Sequence, residues 1–413
     1  MPTLIKPLRG LRPVPERAAD VAAPPYDVLN TAEARQRADG RPHSFLHISK
    51  PEIDLPEGTD PYADEVYAKG AENLHRLVDD GVLIRDAEPC YYVYRLKMGE
   101  HLQTGLVCAA SVADYDTNRI RKHEYTRPQK ENDRVRQITA LNAQTGPVMA
   151  TYRSLGTVRD ALEIASKREP LYDITADDGI VHQLWRIDDT LEIAALTEIF
   201  DAMQALYIAD GHHRSASASR VAAARKADNP QHTGEEDYNY FLCVAFPHDE
   251  TQILDYNRVV KDLNGMHRDE LLERIRDSFS ATPVNAPAKP QRAAQFGMYL
   301  DKQWYRLDIN EDLIPADPVA SLDVSLLQDN LIAPLLGITD QRTDDRIDFV
   351  GGIRGLTELE RRVDSGEMAI AFAHFPTSME ALMNVADANK VMPPKSTWFE
   401  PKLADGLVSH VLD

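Results

Sequence analysis

The sequence predicts a mixed α/β protein of the α+β type, because strand patterns and helix patterns alternate along it without a regular βα repeat. One run, Cys90–Leu96, is rich in β-branched and aromatic residues, which is typical of a strand. Another, Asp60–Asp80, places apolar residues at helical spacing and ends in Asp-Asp-Gly. Hydrophobic residues make up 43% of the 413 positions, enough for a core.

The same patterns place the other elements in order along the chain. Further strands are predicted at Leu102–Val112, Val148–Arg153, Val181–Ile187, Ala205–Ala209, Phe241–Phe246, Thr251–Tyr256, Phe296–Leu300 and Gln303–Leu307. Further helices are predicted at Asp189–Phe200, Ser215–Lys226, Asp269–Phe279, Val324–Leu331, Leu356–Ser365 and Ser378–Asn389. Proline and alanine in Ala281–Ala294 favour a surface loop.

We expect three parts: an N-terminal α/β segment at 1–90, a central core at 91–265 and a C-terminal α/β domain at 266–413. The parts at the two ends would elaborate the mixed sheet of the core.

Charge and cysteine content restrict the classes of function. The net charge of −20 argues against a nucleic-acid partner, whose phosphates need Lys and Arg, and against an anionic membrane surface. Three scattered cysteines indicate a reducing compartment. No apolar run approaches the roughly 18 residues of a membrane span, so we expect a cytoplasmic protein. A small anionic ligand remains compatible with a local basic pocket.

The strongest chemical signal is Asp210-Gly211-His212-His213-Arg214, between a short apolar strand and an alanine-rich helix. The first backbone amides of a helix lack partners within it and favour anions. Gly211 allows close approach of a ligand, and Arg214 can form a forked contact with phosphate. The two histidines add donors or acid–base groups, and Asp210 could orient a histidine or hold a metal ion. The alternative interpretation is that this segment is only the polar start of a helix and binds no ligand.

Two weaker clusters also carry charge. In Arg121–Arg134, Glu124 could act as a general base, and Arg127, Lys130 and Arg134 could bind anionic oxygens. The alternative, favoured by charge pattern alone, is a solvated helix face with Lys130 and Arg134 towards water. Near the C-terminus, Lys395 beside two hydroxyls could contact a phosphate, or the segment could be a tail that packs Trp398 and Phe399 on the core.

Several standard catalytic motifs are absent from the sequence. It has no GxxxxGK[ST] loop, no HExxH helix and no GxSxG elbow. His212 and His213 are adjacent and would diverge from a helix start, so joint zinc ligation by this pair is disfavoured.

Motifs along nearly the whole chain resemble the family known as domain of unknown function 1015. They are Lys6–Pro13, Ala23–Val28, Ser44–His47, Lys122–Thr126, Asp133-Arg134, Gly146–Val148, Ala209–Arg214, Asn257–Val260, Pro334–Ile338 and Pro394–Thr397. The Asp-Gly-His-His-Arg turn is in addition similar to the phosphate-binding turn of the ParB/sulfiredoxin superfamily, which includes free-serine kinases.

This second resemblance implies a ParB/sulfiredoxin-like core and a nucleotide-dependent phosphotransferase acting on serine or, in reverse, on phosphoserine. It implies that His212, His213 and Arg214 hold phosphates at the turn that contains Gly211. Arg127, Arg134 and Lys395, taken from the charge pattern, are further anion-binding candidates. Asp210 would orient a histidine or Mg²⁺, and Glu124 would be the base. ADP or ATP would be the co-substrate.

Two other classes of function use a similar turn. A non-enzymatic nucleotide-binding module of the CTP type is the main alternative, although no helix-turn-helix is evident. A sulfiredoxin-like thiol chemistry would need a cysteine in the turn, and the turn has none. The substrate, the direction of transfer, the metal requirement and homo-oligomer formation are left open by the sequence.

Overall fold

The computed structural model describes residues 3–413, which form two compact units. The first contains the described residues up to Thr251 together with Pro401–Asp413, and the second is Gln252–Glu400. These boundaries differ from the three segments expected from the sequence. The physical reason is pairing in the first unit: Ile5–Lys6 joins its main sheet, and His410–Val411 pairs with Ala143–Gln144.

Strands and helices alternate irregularly, which confirms the mixed α/β class. The strands are β1 (Ile5–Lys6), β2 (Leu11–Pro13), β3 (Leu83–Arg85), β4 (Tyr91–Met98), β5 (His101–Ser111), β6 (Ile120–Arg121), β7 (Ala143–Gln144), β8 (Val148–Tyr152), β9 (Tyr172–Thr175), β10 (Val181–Ile187), β11 (Leu206–Asp210), β12 (Tyr240–Pro247), β13 (Gln252–Leu254), β14 (Tyr256–Val260), β15 (Phe279–Val284), β16 (Gln295–Leu300), β17 (Gln303–Ile309), β18 (Ile347–Gly351), β19 (Ile370–Ala373), β20 (Trp398–Glu400) and β21 (His410–Val411). The α-helices are α1 (Ala18–Val21), α2 (Thr31–Ala38), α3 (Leu46–Ser49), α4 (Asp64–Asp79), α5 (Val112–Asp116), α6 (Pro128–Leu141), α7 (Gly156–Ala165), α8 (Thr190–Asp201), α9 (His212–Asp228), α10 (Arg268–Ile275), α11 (Asp323–Leu327), α12 (Leu356–Asp364) and α13 (Met379–Asp387).

The main sheet of the first unit has the strand order β6-β11-β8-β12-β5-β4-β10-β9, and β1 pairs with the end of β5. Two of its pairs, β6 with β11 and β8 with β12, are parallel, and the others are antiparallel. The sheet is therefore mixed, as expected. Description of this core as ParB/sulfiredoxin-like stays a prediction.

Apolar side chains explain why these strands stay together. Buried residues of β4, β5, β8, β11 and β12 form one continuous cluster with apolar residues of α7, α8 and α9. Helix α9 also packs against α6, which in turn packs against α4. The start of α9 is thereby fixed between the sheet and a second helix.

The second unit contains a six-stranded sheet in the order β15-β17-β16-β19-β14-β18, whose apolar residues form a core with α10 and α11. Here the sequence prediction of a surface loop at Ala281–Ala294 is partly wrong, because the edge strand β15 extends to Val284. Pro283 is compatible with this position, since an edge strand need not donate every backbone hydrogen bond.

Other differences concern element ends. The predicted strand Thr251–Tyr256 is two strands, β13 and β14, and the helix predicted to reach Phe279 ends at Ile275. Strands β18 and β19 were not predicted. Among residues 3–413, no helix combines the length and apolar character that crossing a lipid bilayer requires.

Candidate functional site

The residues that could carry chemistry lie where two parallel strands end. Strands β6 and β11 are parallel neighbours, with Leu206 opposite Ile120 and Tyr207 opposite Arg121. His123 and Glu124 follow β6, whereas Asp210 ends β11. Because the carboxyl ends of parallel strands meet at one edge of a sheet, these segments converge there.

The turn after β11 opens the N-terminus of α9. Gly211 is the N-cap residue and has a left-handed backbone conformation, with φ 99°. No side chain caps the helix, and its first backbone hydrogen bond runs from the Ser215 N–H to the Gly211 carbonyl at 3.0 Å. The amides of the first turn thus have no partner within the helix, and the dipole of the 17-residue helix favours negative charge there.

Gly211→Ala is expected to lower the free energy of unfolding by about 2 kcal/mol, because an added Cβ is strained at this φ. The new atom would also lie 3.0 Å from Arg214 Nε and 3.2 Å from the Val148 Cα. Urea denaturation measures the change. Gly40→Ala is the matched control, since φ is 69° there and a Cβ at that position would have no neighbour within 4 Å. Equal destabilisation of the two variants would contradict the crowding at Gly211.

Asp210 is held between two cations. Its Oδ2 lies 3.3 Å from Lys402 Nζ and 3.5 Å from an Arg214 guanidinium nitrogen, Nη2. Burial alone would raise the pKa of Asp210, but Lys402 and Arg214 outweigh it and hold the pKa well below its usual range. Asp210 is therefore ionised, and about a third of its side chain is exposed.

Arg214 lies beneath the turn. Only 9% of the residue is exposed, and its Nη1 donates a hydrogen bond to the Pro147 carbonyl. The sequence suggested a forked contact with a ligand, whereas the structure gives this guanidinium two partners within the protein. Burial disfavours its charge, but Asp210, Asp27 and other groups raise the pKa of Arg214, so it stays charged.

A second carboxyl, which is buried, lies near Arg214. Asp405 is 1% exposed, and burial raises its pKa to about 7, against the opposing effect of Arg214. A Cβ atom added to Gly146 would lie 3.3 Å from Arg214 Cδ and 3.5 Å from Asp405 Oδ1. Glycine at position 146 therefore leaves room for the two charged groups.

His212 lies against His123 and Glu124. The two imidazole rings pack edge to face with centroids 4.4 Å apart, and the His123 backbone N–H donates to His212 Nε2 at 3.4 Å. Glu124 Oε2 is 3.9 Å from His212 Nδ1. Burial lowers the pKa of His123 to about 4 and that of His212 well below its ordinary value. Both rings are thus neutral at pH 7.

His213 points away from this group. Its Nε2 accepts a hydrogen bond from the Arg127 backbone N–H at 3.0 Å, so a neutral ring carries its proton on Nδ1. Burial also lowers the pKa of His213. The divergence of the two histidines expected from the sequence is confirmed.

The remaining predicted residues lie in different surroundings. Arg134 stacks on the Tyr26 ring, with the guanidinium carbon 3.9 Å from the ring centroid, and donates to Asp133. Its side chain is only 13% exposed, so the prediction that it faces water is wrong. Arg127 and Lys130 are exposed.

Lys395 belongs to the second unit, where its carbonyl accepts a hydrogen bond from the Arg258 side chain at 3.1 Å. In the same unit Trp398 packs edge to face on Tyr256 with centroids 5.1 Å apart, as expected for a packed tail.

Sequence reasoning gave no role to three residues of the site. His123 lay within the charged cluster Arg121–Arg134 without a role of its own, and Lys402 and Asp405 were not singled out. The sequence did contain one signal for a buried carboxyl, because the apolar residues Leu403 and Ala404 directly precede Asp405. Proximity of this tail to the turn is a tertiary effect that no local pattern shows.

A family model described as "Protein of unknown function (DUF1015)" matches residues 5–325 of the chain. The chain belongs to the DUF1015 family. The match spans more than three quarters of this DUF1015 protein and confirms the family resemblance, with the motifs at Pro334–Ile338 and Pro394–Thr397 lying outside the matched residues. No curated protein matches its sequence.

Three solved structures are similar to this DUF1015 protein at low identity. A conserved hypothetical protein from Pyrococcus furiosus is 12% identical with a TM-score of 0.36, covering 73% of this chain and 94% of its own. A free serine kinase in complex with AMP is 11% identical with a TM-score of 0.35, covering 73% and 92%. SbnI with a C-terminal truncation, from Staphylococcus aureus, is 11% identical with a TM-score of 0.38, covering 73% and 86%. The expected similarity to free serine kinases is thus found, as a remote likeness.

Proposed function

We propose that this protein is a small-molecule phosphotransferase whose phosphoryl group is bound at the turn between β11 and α9. One observation carries the proposal: the N-terminus of α9 has no side-chain cap and lies beside two cations, Lys402 and Arg214. Phosphoryl transfer needs mainly positioning and neutralised oxygens, which unpaired amides and fixed cations supply. ADP or ATP is the proposed donor, and serine the proposed acceptor.

Each group at the turn then has a distinct part. The amides of His212, His213 and Arg214 would donate to phosphate oxygens. Arg214 would act from beneath the turn, because its Nη1 is bound to the Pro147 carbonyl and its charge is fixed. Arg127 is exposed at the adjoining start of α6 and would add positive charge.

The proton of the attacking hydroxyl would be accepted by a side chain that is exposed to solvent. Glu124 has a side chain that is 45% exposed and lies close to His212, so it could accept the proton of an attacking hydroxyl. His213 is neutral with its proton on Nδ1, so it could donate a hydrogen bond from Nδ1 to a phosphate oxygen. Arg134 and Lys395 have other partners, and we assign them no contact with the phosphoryl group.

Asp210 gives a poor magnesium site by itself. Its carboxylate lies next to Lys402 and Arg214, two cations that would repel Mg²⁺. Mg²⁺ commonly binds through substrate phosphates and retains several waters. We therefore propose that any Mg²⁺ enters with the nucleotide, where it would neutralise phosphate charge.

Phosphorus NMR tests the function directly. Folded protein with Mg²⁺ is incubated with serine and ADP or ATP, and separately with phosphoserine, because transfer and hydrolysis would use the same residues. We expect conversion in at least one mixture. No conversion in any of them removes the serine hypothesis. Thermal stabilisation by CTP alone, without conversion, would instead favour a nucleotide-binding regulatory module.

His213→Ala is expected to lower the rate of conversion by a factor of about 10² or more, because removing one hydrogen-bond donor to the charge that develops in the transition state typically costs that much. His75→Ala is the matched control, since His75 lies exposed on α4, outside the site. The rates are measured at saturating nucleotide. A His213→Ala rate equal to that of the control would show that His213 does not contact the phosphoryl group.

A further inference from the structure

Three side chains at the carboxyl ends of β6 and β11 converge on one point. His123, Glu124 and His212 each offer one ligating atom, and these atoms all lie within 4.8 Å of one another. We propose that this triad is a binding site for a divalent transition-metal ion of the Zn²⁺ class. The proposal uses the same turn as the phosphoryl site but stands on different atoms, the imidazole nitrogens rather than the backbone amides.

His123 gives the strongest support for an ion. The residue is 2% exposed, and neither of its ring nitrogens makes a hydrogen bond of normal geometry with a described residue, although the ring also interacts with the Ile208 backbone. A buried polar atom without a partner costs about 1–3 kcal/mol, so such atoms are rare in folded proteins. A metal ion bound to one ring nitrogen would remove part of this cost and would explain why a polar side chain is buried at this position.

The donor set selects the class of ion. Two imidazoles and one carboxylate suit Zn²⁺, Fe²⁺, Mn²⁺ or Co²⁺, whereas Mg²⁺ and Ca²⁺ prefer oxygen ligands alone. Each imidazole ring has a nitrogen lone pair that a metal ion can bind. Glu124 is 45% exposed, so the ion would remain open to water or to a ligand on that side.

Ring orientation indicates how His212 would bind. Its Nδ1 faces Glu124 at 3.9 Å, and its Nε2 receives the long 3.4 Å contact from the His123 backbone N–H. Ligation through Nδ1 would put the ring proton on Nε2 and release that contact. His213 is excluded from the triad, because the next residue on a helix projects about 100° away and its Nε2 is bound to the Arg127 N–H.

An ion in the triad would also act on the proposed reaction. His212 supplies both a ligand atom and an amide of the first turn of α9. The ion would therefore lie next to the proposed phosphoryl-binding site. Its positive charge would stabilise an anionic oxygen there. With the ion bound, Glu124 is a ligand and its capacity as a base is reduced.

Metal binding is measured on the full chain after chelator treatment and without nucleotide, so that failure of the phosphotransferase proposal leaves the result intact. Zn²⁺ is titrated by calorimetry, and Co²⁺ is followed by the visible absorption bands that imidazole and carboxylate ligation produces. We expect one ion per chain for the wild type and for His213→Ala, the matched control. We expect an affinity at least about tenfold weaker for His123→Ala, His212→Ala and Glu124→Gln.

Folding is checked for every variant by circular dichroism. Glu124→Gln keeps the shape of an exposed side chain, so it tests the site even where a buried histidine variant does not fold. Wild-type affinity in folded Glu124→Gln would overturn the proposal, and so would wild-type affinity in folded His123→Ala. The same holds for a loss of binding in His213→Ala that matches the loss in His212→Ala.

Discussion

Replacing Arg214 by alanine is expected to lower the free energy of unfolding by about 3–5 kcal/mol, the usual cost of removing one partner of a buried ion pair. Only 10% of the Arg214 side chain is exposed, and it bonds the Pro147 carbonyl and faces Asp210. Without it, Asp210 keeps a single nearby cation, Lys402. Urea denaturation at pH 7 measures the loss.

The same variant tests the proposed phosphoryl site. Inorganic phosphate or ADP should raise the melting temperature of the wild type and not that of Arg214→Ala. Arg220→Ala is the matched control on α9, because Arg220 is 45% exposed and pairs with Glu131 at the surface. It should cost less than about 1 kcal/mol and keep the ligand effect. Equal ligand stabilisation of Arg214→Ala and the wild type would take Arg214 out of the proposed site.

Asp405→Asn is expected to stabilise the protein by up to about 4 kcal/mol at pH 8 and to have little effect at pH 4. Burial raises the pKa of Asp405 to about 7 in the folded state, whereas an unfolded aspartate has a pKa of about 3.9. Between these values the folded state binds more protons, so stability falls as pH rises through this window and stays lower above it. Asparagine cannot ionise and escapes this loss.

The measurement is the difference between wild-type and Asp405→Asn unfolding free energies from pH 4 to pH 8. Taking a difference matters, because burial also lowers the pKa of His182 and of His410 to about 4. Those rings make stability rise with pH between about 4 and 6.5, and they cancel in the comparison. A difference that is independent of pH would show that Asp405 has an ordinary pKa in the folded protein.

Local sequence determined the turn and its flanking elements. An apolar strand, a glycine and an alanine-rich helix follow one another, and each preference acts over a few residues. The structure places them at β11, Gly211 and α9, although α9 begins at His212 and not at Ser215. Divergence of His212 and His213 also followed from helix geometry alone.

Strands β4, β5 and β10 were predicted for the same local reason. Tyr91–Met98 is rich in aromatic and β-branched residues, and a glycine turn separates it from the apolar segment within His101–Ser111. The residues at which helices and strands end were predicted less accurately than the elements themselves. Phe279 starts β15 rather than ending a helix, because its side chain packs with Phe296 in the core of the second unit.

The surroundings of the turn depended on the tertiary structure. His123 and His212 are 89 residues apart in the chain and meet only because β6 pairs in parallel with β11. Lys402 contacts Asp210 across 192 residues, because the C-terminal segment returns to the first unit. Contacts over such separations depend on which strands pair and on which buried charges can be compensated. A local pattern in sequence carries neither kind of information, and so the charged motif could be found in the sequence while its partners could not.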